Sequence, residues 1–148
     1  MEHQIITKSA EDTMKLGQRF VALCKPGSTF CLTGDLGAGK TTLVRGIAKA
    51  LNIKSVDQSP TFNIMKVYFD GDKPLIHIDA YRLADLDTDI GLDEYIGYET
   101  GITVIEWAEF IKDLIPENAI EVNITHIKDD ERNIKISSQD KDFMEGLK

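Results

Sequence analysis

Gly34-Asp35-Leu36-Gly37-Ala38-Gly39-Lys40-Thr41 fits the pattern G-x-x-x-x-G-K-[ST]. Its surroundings have the matching texture. A strand-like run, Thr29-Phe30-Cys31-Leu32-Thr33, leads in, and a helix-like run over 42–51 leads out. The chemistry needs that order. Glycines let the backbone turn tightly, so that its N–H groups point into one concavity, and the helix behind adds the positive end of its dipole. Lys40 has the reach to meet β- and γ-phosphates, and the Thr41 hydroxyl can ligate Mg²⁺. A glycine turn that merely ends in Lys-Thr is the bland alternative, and the flanking strand and helix argue against it. The stretch predicts a site for a nucleoside triphosphate.

Two apolar runs further on each end in a carboxylate. Leu75-Ile76-His77-Ile78-Asp79 is the better match to a Walker B strand, and Ile102-Thr103-Val104-Ile105-Glu106 is the second. In an open α/β sheet, ligands sit outside the carboxyl ends of parallel strands. If both runs lie parallel to the strand over 29–33, both acids converge on the phosphate site. One would then hold the metal, directly or through water, and the other would orient the attacking water or complete the metal shell. The competing reading is that either acid simply ends a strand or caps the next element.

Working outward, 2–7 reads as a first strand. Ser9 followed by Asp12 resembles a capping box, and Leu16, Phe20 and Cys24 recur at helical spacing, which predicts a helix over 9–24. Leu43, Ile47 and Leu51 share one face of the helix after the glycine loop. Phe62, Ile64, Val67, Tyr68 and Phe69, then Asp70-Gly71-Asp72, then 75–79 read as a hairpin. The stretch over 86–96 reads as an irregular helix, and 110–114 as a short one stopping before Pro116. A second hairpin is expected over 119–127 and 132–137, and the tail after Ser138 reads as a short or frayed helix.

The 148 residues, with 42% hydrophobic and 28% charged content, fit one ordinary globular domain over 1–148. No apolar run approaches membrane-spanning length. The N-terminus lacks the apolar stretch of a secretory signal, so a cytoplasmic protein with no membrane partner is expected. Cys24 and Cys31 lack metal-site spacing and read as free thiols. The net charge of −8, with its basic residues scattered, argues against this chain being a main nucleic-acid surface.

Ser59-Pro60-Thr61 has the stiffness of a switch segment, since Pro60 pushes Ser59 toward extended geometry. Thr61 would then offer a hydroxyl to Mg²⁺ or to the γ-phosphate, although an ordinary turn before a strand explains the residues equally well. His77 would share a sheet face with Asp79 and reads as a buried, hydrogen-bonded structural histidine. Trp107, alone, reads as core or rim. Arg82 and Arg45 are candidate charge stabilisers without diagnostic spacing. The cluster Asp85, Asp87, Asp89, Asp93 and Glu94 lacks the order of a calcium loop and reads as a solvated or partner-facing surface. Neither an Asn-Lys-x-Asp nor a D-x-x-G motif occurs, which disfavours a standard GTPase.

Taken together, these residues resemble the TsaE family, small bacterial P-loop ATPases of the tRNA threonylcarbamoyladenosine pathway. Four segments match in order: Gly34 through Thr42, then Ser59-Pro60-Thr61-Phe62, then His77-Ile78-Asp79-Ala80-Tyr81-Arg82-Leu83, then Ile105-Glu106-Trp107. The first is shared by many NTPases, whereas the H-x-D-x-Y-R-L run and the Glu-Trp pair at these separations are far more specific. The resemblance implies an α/β fold, a P-loop NTPase-like three-layer sandwich whose mixed, mostly parallel sheet carries antiparallel hairpins and flanking helices. It implies that Gly37, Ala38, Gly39, Lys40, Thr41 and Thr42 wrap the phosphates of ATP. It makes Thr41 and Glu106 the Mg²⁺ ligands, Asp79 the Walker B acid and Thr61 the switch threonine. Trp107 would sit near the nucleotide, as would Ala10 at the start of the first helix and Arg132 before the last strand. The implied partners are a threonylcarbamoyl-transferase subunit and its inactive paralogue, a heterodimer that holds most of the tRNA. ATP turnover by the small subunit would reset that machine. A small-molecule kinase and a nucleotide-dependent binding switch with negligible catalysis remain as alternatives, since fold alone does not separate them.

Overall fold

The computed structural model describes residues 1–34, 39–54, 65–81, 95–96 and 98–148. Seven strands form one sheet: β1 (Glu2–Thr7), β2 (Thr29–Thr33), β3 (Met65–Tyr68), β4 (Leu75–Asp79), β5 (Ile102–Glu106), β6 (Ile120–Lys128) and β7 (Glu131–Ser137), in the order β1-β7-β6-β2-β5-β4-β3. β2 lies parallel to both β5 and β6, and β4 lies parallel to β5. β3 and β7 run the other way, each in an antiparallel hairpin with β4 and β6, and β1 closes on β7. The carboxyl ends of β2, β4 and β5 therefore share one edge.

Helices α1 (Ala10–Leu23), α2 (Lys40–Ala50) and α3 (Lys141–Leu147) cover one face. The capping signal at Ser9 operates: its Oγ accepts from the Asp12 N–H at 3.0 Å, while Asp12 Oδ2 accepts from the Lys8 N–H at 3.1 Å. Leu16 and Phe20 of α1 and Leu43 and Ile47 of α2 point into the core. The two helices touch backbone to backbone, because Gly17 and Gly46 have no Cβ to hold them apart: one on Gly46 would overlap the Met14 carbonyl. Phe20 stacks on Phe30 of β2 with centroids 5.4 Å apart, and Phe143 of α3 closes the cluster edge-on at 5.8 Å from Phe30. The tail is thus a helix with Phe143, Met144 and Leu147 buried rather than a frayed end. Asp140 caps it, accepting from the Phe143 N–H at 3.1 Å.

The opposite face is covered over β4 and β5. There Ile76, Ile78 and Ile105 meet Ala108, Ile111 and Ile115 from a short 3-10 helix, Ala108–Leu114, and the residue after it. This helix starts earlier than the expected 110–114 and is kinked at Ile111. Over β6 the pattern alternates strictly, with Ile120, Val122 and Ile124 inside and Glu121, Asn123 and Thr125 outside, the mark of a strand wetted on one face. The predicted strands over 2–7, 75–79 and 102–106 and both hairpins are found, although Phe62 and Ile64 of the first hairpin lie outside the described residues. Of the expected helix over 86–96, residues 86–94 lie outside the described residues, and Tyr95 and Ile96 form a turn. Cys24 and Cys31 are free thiols, and burial pushes Cys31 up to about 12, so it is no nucleophile at neutral pH. Among the described residues no helix is long and apolar enough to cross a membrane.

Candidate nucleotide site

The site assembles where β2, β5 and β4 end and α2 begins. Gly39, just before α2, has φ +113°, a left-handed backbone that glycine adopts without strain. The turn aims the first residue of α2 back over the sheet, and Lys40 Nζ comes to lie 3.7 Å from Glu106 Oε1. Glu106 is the last residue of β5, and register pairs it with Leu32 on β2 and Asp79 on β4. The two predicted acids are therefore neighbours at the sheet edge that carries Lys40. Asp79 is half-buried and its Oδ1 accepts the Tyr81 N–H at 3.1 Å, which fixes the chain as it leaves β4.

Glu106 is the electrostatic centre. Burial alone would raise its pKa, but the His77 hydrogen bond and Lys40 pull the other way and prevail. The carboxylate is held below the usual range and is ionised at neutral pH. His77 Nε2 lies 2.8 Å from Glu106 Oε2, so each carboxylate oxygen has its own nitrogen partner. The sequence places His77 on Asp79's face, as found, but the bond goes to Glu106, two residues beyond Val104, the register partner of His77.

Trp107 follows directly. Its φ of 62° is rare for a bulky residue, and the turn brings the indole within 5.5 Å of Lys40 Nζ. Trp107 is thus rim rather than core, 39% exposed. Tyr81 packs on it at 5.0 Å and Phe110 at 6.1 Å, both also exposed. Reading along the chain did not single out Tyr81 or Phe110 as site residues. The signal was available in two aromatics placed just past the two carboxylate-ending strands. A cleft of about 330 Å³ opens beside this cluster, lined by Leu32, Gly34, Lys40, Trp107, Asn123 and Thr125 among others.

Thr41 and Thr42 sit in the first turn of α2, half-buried. Arg132, at the start of β7, lies against the loop: a Cβ built on Gly39 would be 3.6 Å from its Nε. Its Nη1 also donates to the Asp129 and Glu131 carbonyls, bracing the β6–β7 turn. Thr7 is the register partner of Arg132, so Ala10, which opens α1 just beyond, stands at the same sheet edge. Gly37, Ala38, Thr61 with its Ser59-Pro60 segment, Arg82 and the acidic cluster 85–94 lie outside the described residues.

The donor set suits Mg²⁺ bound with a nucleotide. Among the described residues no three His, Cys, Asp or Glu side chains gather to hold a metal by themselves. Mg²⁺ asks for no such group, since it takes one or two protein oxygens beside phosphate oxygens and waters. An ionised Glu106, with Thr41 at the head of α2 and Asp79 alongside, offers that kind of shell. A lysine and a helix N-terminus beside it can neutralise phosphates.

Comparison with known proteins identifies the family. The family described as "Threonylcarbamoyl adenosine biosynthesis protein TsaE" matches residues 7–134. The chain is 42% identical over 132 residues to the Bacillus subtilis tRNA threonylcarbamoyladenosine biosynthesis protein TsaE, covering 89% of this chain and 83% of that one. It is 39% identical over 134 residues to the protein of the same name from Treponema pallidum, covering 89% and 98%. The crystal structure of Bacillus subtilis YdiB superposes with a TM-score of 0.82 at 33% identity, over 99% of this chain and 92% of that one. The family match runs from the end of β1 into β7 and takes in α1, α2, Lys40 and Glu106, and on that ground the chain belongs to the TsaE family.

Proposed function

We propose that this chain is an ATP-binding and ATP-hydrolysing subunit of tRNA threonylcarbamoyladenosine (t6A) synthesis, weak alone and activated by its partners in the cytoplasm. The observation that carries the reading is the Lys40–Glu106 ion pair at the head of α2, 3.7 Å long and nearly buried. Both members must exchange partners when a triphosphate arrives. Lys40 turns to the β- and γ-phosphates, together with the backbone N–H groups of Gly37, Ala38 and Gly39. Thr41 and Glu106 hold Mg²⁺, which neutralises charge on the phosphates when bound. Thr42 adds a contact at the helix start. Asp79 orients the attacking water or the metal's water shell, and Thr61 supplies the switch hydroxyl. Trp107 walls the phosphate side, while Ala10 and Arg132 flank the nucleoside side.

Phosphoryl transfer depends on positioning and charge stabilisation, and an open cleft supplies both only in part. A transferase subunit and its inactive paralogue would complete the clamp and hold the tRNA. The acidic charge of −8 supports that division of labour. The names of the relatives support the pathway.

Trp107, the chain's one tryptophan, gives a direct test. Its emission should change on titration with ATP and Mg²⁺, and the change should vanish or shift to at least about tenfold higher ATP in Lys40→Ala, as expected when a charge-assisted contact is lost. An identical titration curve for Lys40→Ala would remove Lys40 from the binding site.

A further inference from the structure

His77 is an oddity in β4. It is 1% exposed on a strand whose other buried residues, Leu75, Ile76 and Ile78, are aliphatic, and its Nδ1 finds no hydrogen-bond partner among the described residues. An imidazole placed only to fill the core would cost more than a leucine there, because burying an unpaired polar atom is unfavourable. What the ring gains is the 2.8 Å bond from Nε2 to Glu106 Oε2. With Nδ1 unpartnered, the tautomer that buries no lone N–H carries its hydrogen on Nε2, so His77 donates and Glu106 accepts.

We propose that His77 is a positioning residue for Glu106. The inference rests on the nucleotide reading above, which makes Glu106 a Mg²⁺ ligand. A glutamate has three side-chain torsions, and a carboxylate at a strand end facing a cleft would sample several of them. The Nε2–H···Oε2 bond ties one oxygen to a rigid, buried ring on β4, the parallel neighbour of the strand that carries Glu106. The other oxygen, Oε1, is thereby aimed at Lys40 and the head of α2. His77 thus presets the carboxylate that must pass from Lys40 to the metal. It exchanges no proton and touches no substrate. Residues that orient a metal-binding side chain are worth about 10–100-fold in metal affinity or activity.

Two variants separate position from bulk. His77→Gln keeps a donor near the place of Nε2, whereas His77→Asn places its donor near Nδ1 and leaves Oε2 unmet. The readouts are kcat and KM for ATP hydrolysis, uptake of Mn²⁺ in the presence of ATP followed by electron paramagnetic resonance, and the melting temperature without nucleotide. His77→Gln should stay within about threefold of the unchanged protein. His77→Asn should lose about tenfold in kcat and in Mn²⁺ affinity, with KM for ATP within about threefold and a melting temperature close to that of His77→Gln. Equal behaviour of the two variants, whether both intact or both impaired, would overturn the proposal and leave His77 a core filler. If the unchanged protein takes up no Mn²⁺ with ATP and releases no phosphate, the nucleotide reading itself fails and takes this inference with it. Normal behaviour of the unchanged protein with identical variants sinks the positioning role alone.

Discussion

Glu106 shows how one residue can be held charged in a nearly closed place. Burial works against its ionised form, and His77 and Lys40 more than compensate. Its folded pKa therefore lies below the unfolded value near 4.5, so the unfolded chain binds the proton first. The stability Glu106 contributes is present above that unfolded value and is lost as pH falls through the lower folded one. Thermal melts between pH 6 and pH 3 should accordingly fall less steeply for Glu106→Gln than for the unchanged protein. Parallel slopes would mean that the pair contributes nothing to the fold. For turnover, Glu106→Ala should reduce phosphate release by about a hundredfold while ATP binding, read from Trp107 emission, changes only a few-fold. Equal hydrolysis by the two proteins would refute the role given to Glu106. At this scale the sequence was informative wherever a residue's part depends on its own segment. Lys40 follows its glycines and Glu106 ends its apolar run, and both stand where those patterns put them. The partner of His77 and the Tyr81–Trp107–Phe110 cluster were not readable in the same way, because they depend on which strands lie side by side.

Among the elements, α1 and α2 are locked by their glycines. Gly46 sits against the Met14 backbone and Gly17 against the Leu43 carbonyl, so the helix that begins with Lys40 cannot tilt without moving α1. Taken alone, Gly46→Ala should stabilise α2 by about 1 kcal/mol of helix propensity. The added methyl instead forces two backbones apart, and overpacking typically costs about 1–3 kcal/mol. A net fall in the melting temperature is expected, together with weaker ATP binding because α2 carries the proposed phosphate site. A higher melting temperature would show that the helices are free to separate. Strand and hairpin periods were legible in the sequence since each is a local alternation, and Ser9 announced its helix through its own capping bond. The docking of α3 was not, as seven residues carry too little pattern to reveal that Phe143 completes a cluster with Phe20 and Phe30. The kink at Ile111, where the helix packs against β4 and β5, likewise has no breaker in the segment to announce it.

At the scale of the whole molecule, the parallel strands β2, β4 and β5 gather the charged groups at one edge, and the acidic remainder of the surface gives little purchase to nucleic acid. In the function proposed above, such a protein would act on tRNA through partners, with the nucleotide site as its own contribution. The fold belongs to a family, and the family tie was already visible in the four segments from Gly34 to Trp107. What lay beyond the reach of sequence was the geometry at that edge: the Lys40–Glu106 pair, the indole turned over it, and Arg132 against Gly39. The central claim is that this edge hydrolyses ATP and does so under partner control. The measurement that tests it most directly is phosphate release from ATP by the purified chain, with and without the transferase heterodimer, with Lys40→Ala as control. The account predicts slow release alone, strong stimulation by the heterodimer, and loss of both in the control. Phosphate release that is unaffected by the heterodimer, or that survives in Lys40→Ala, would contradict it.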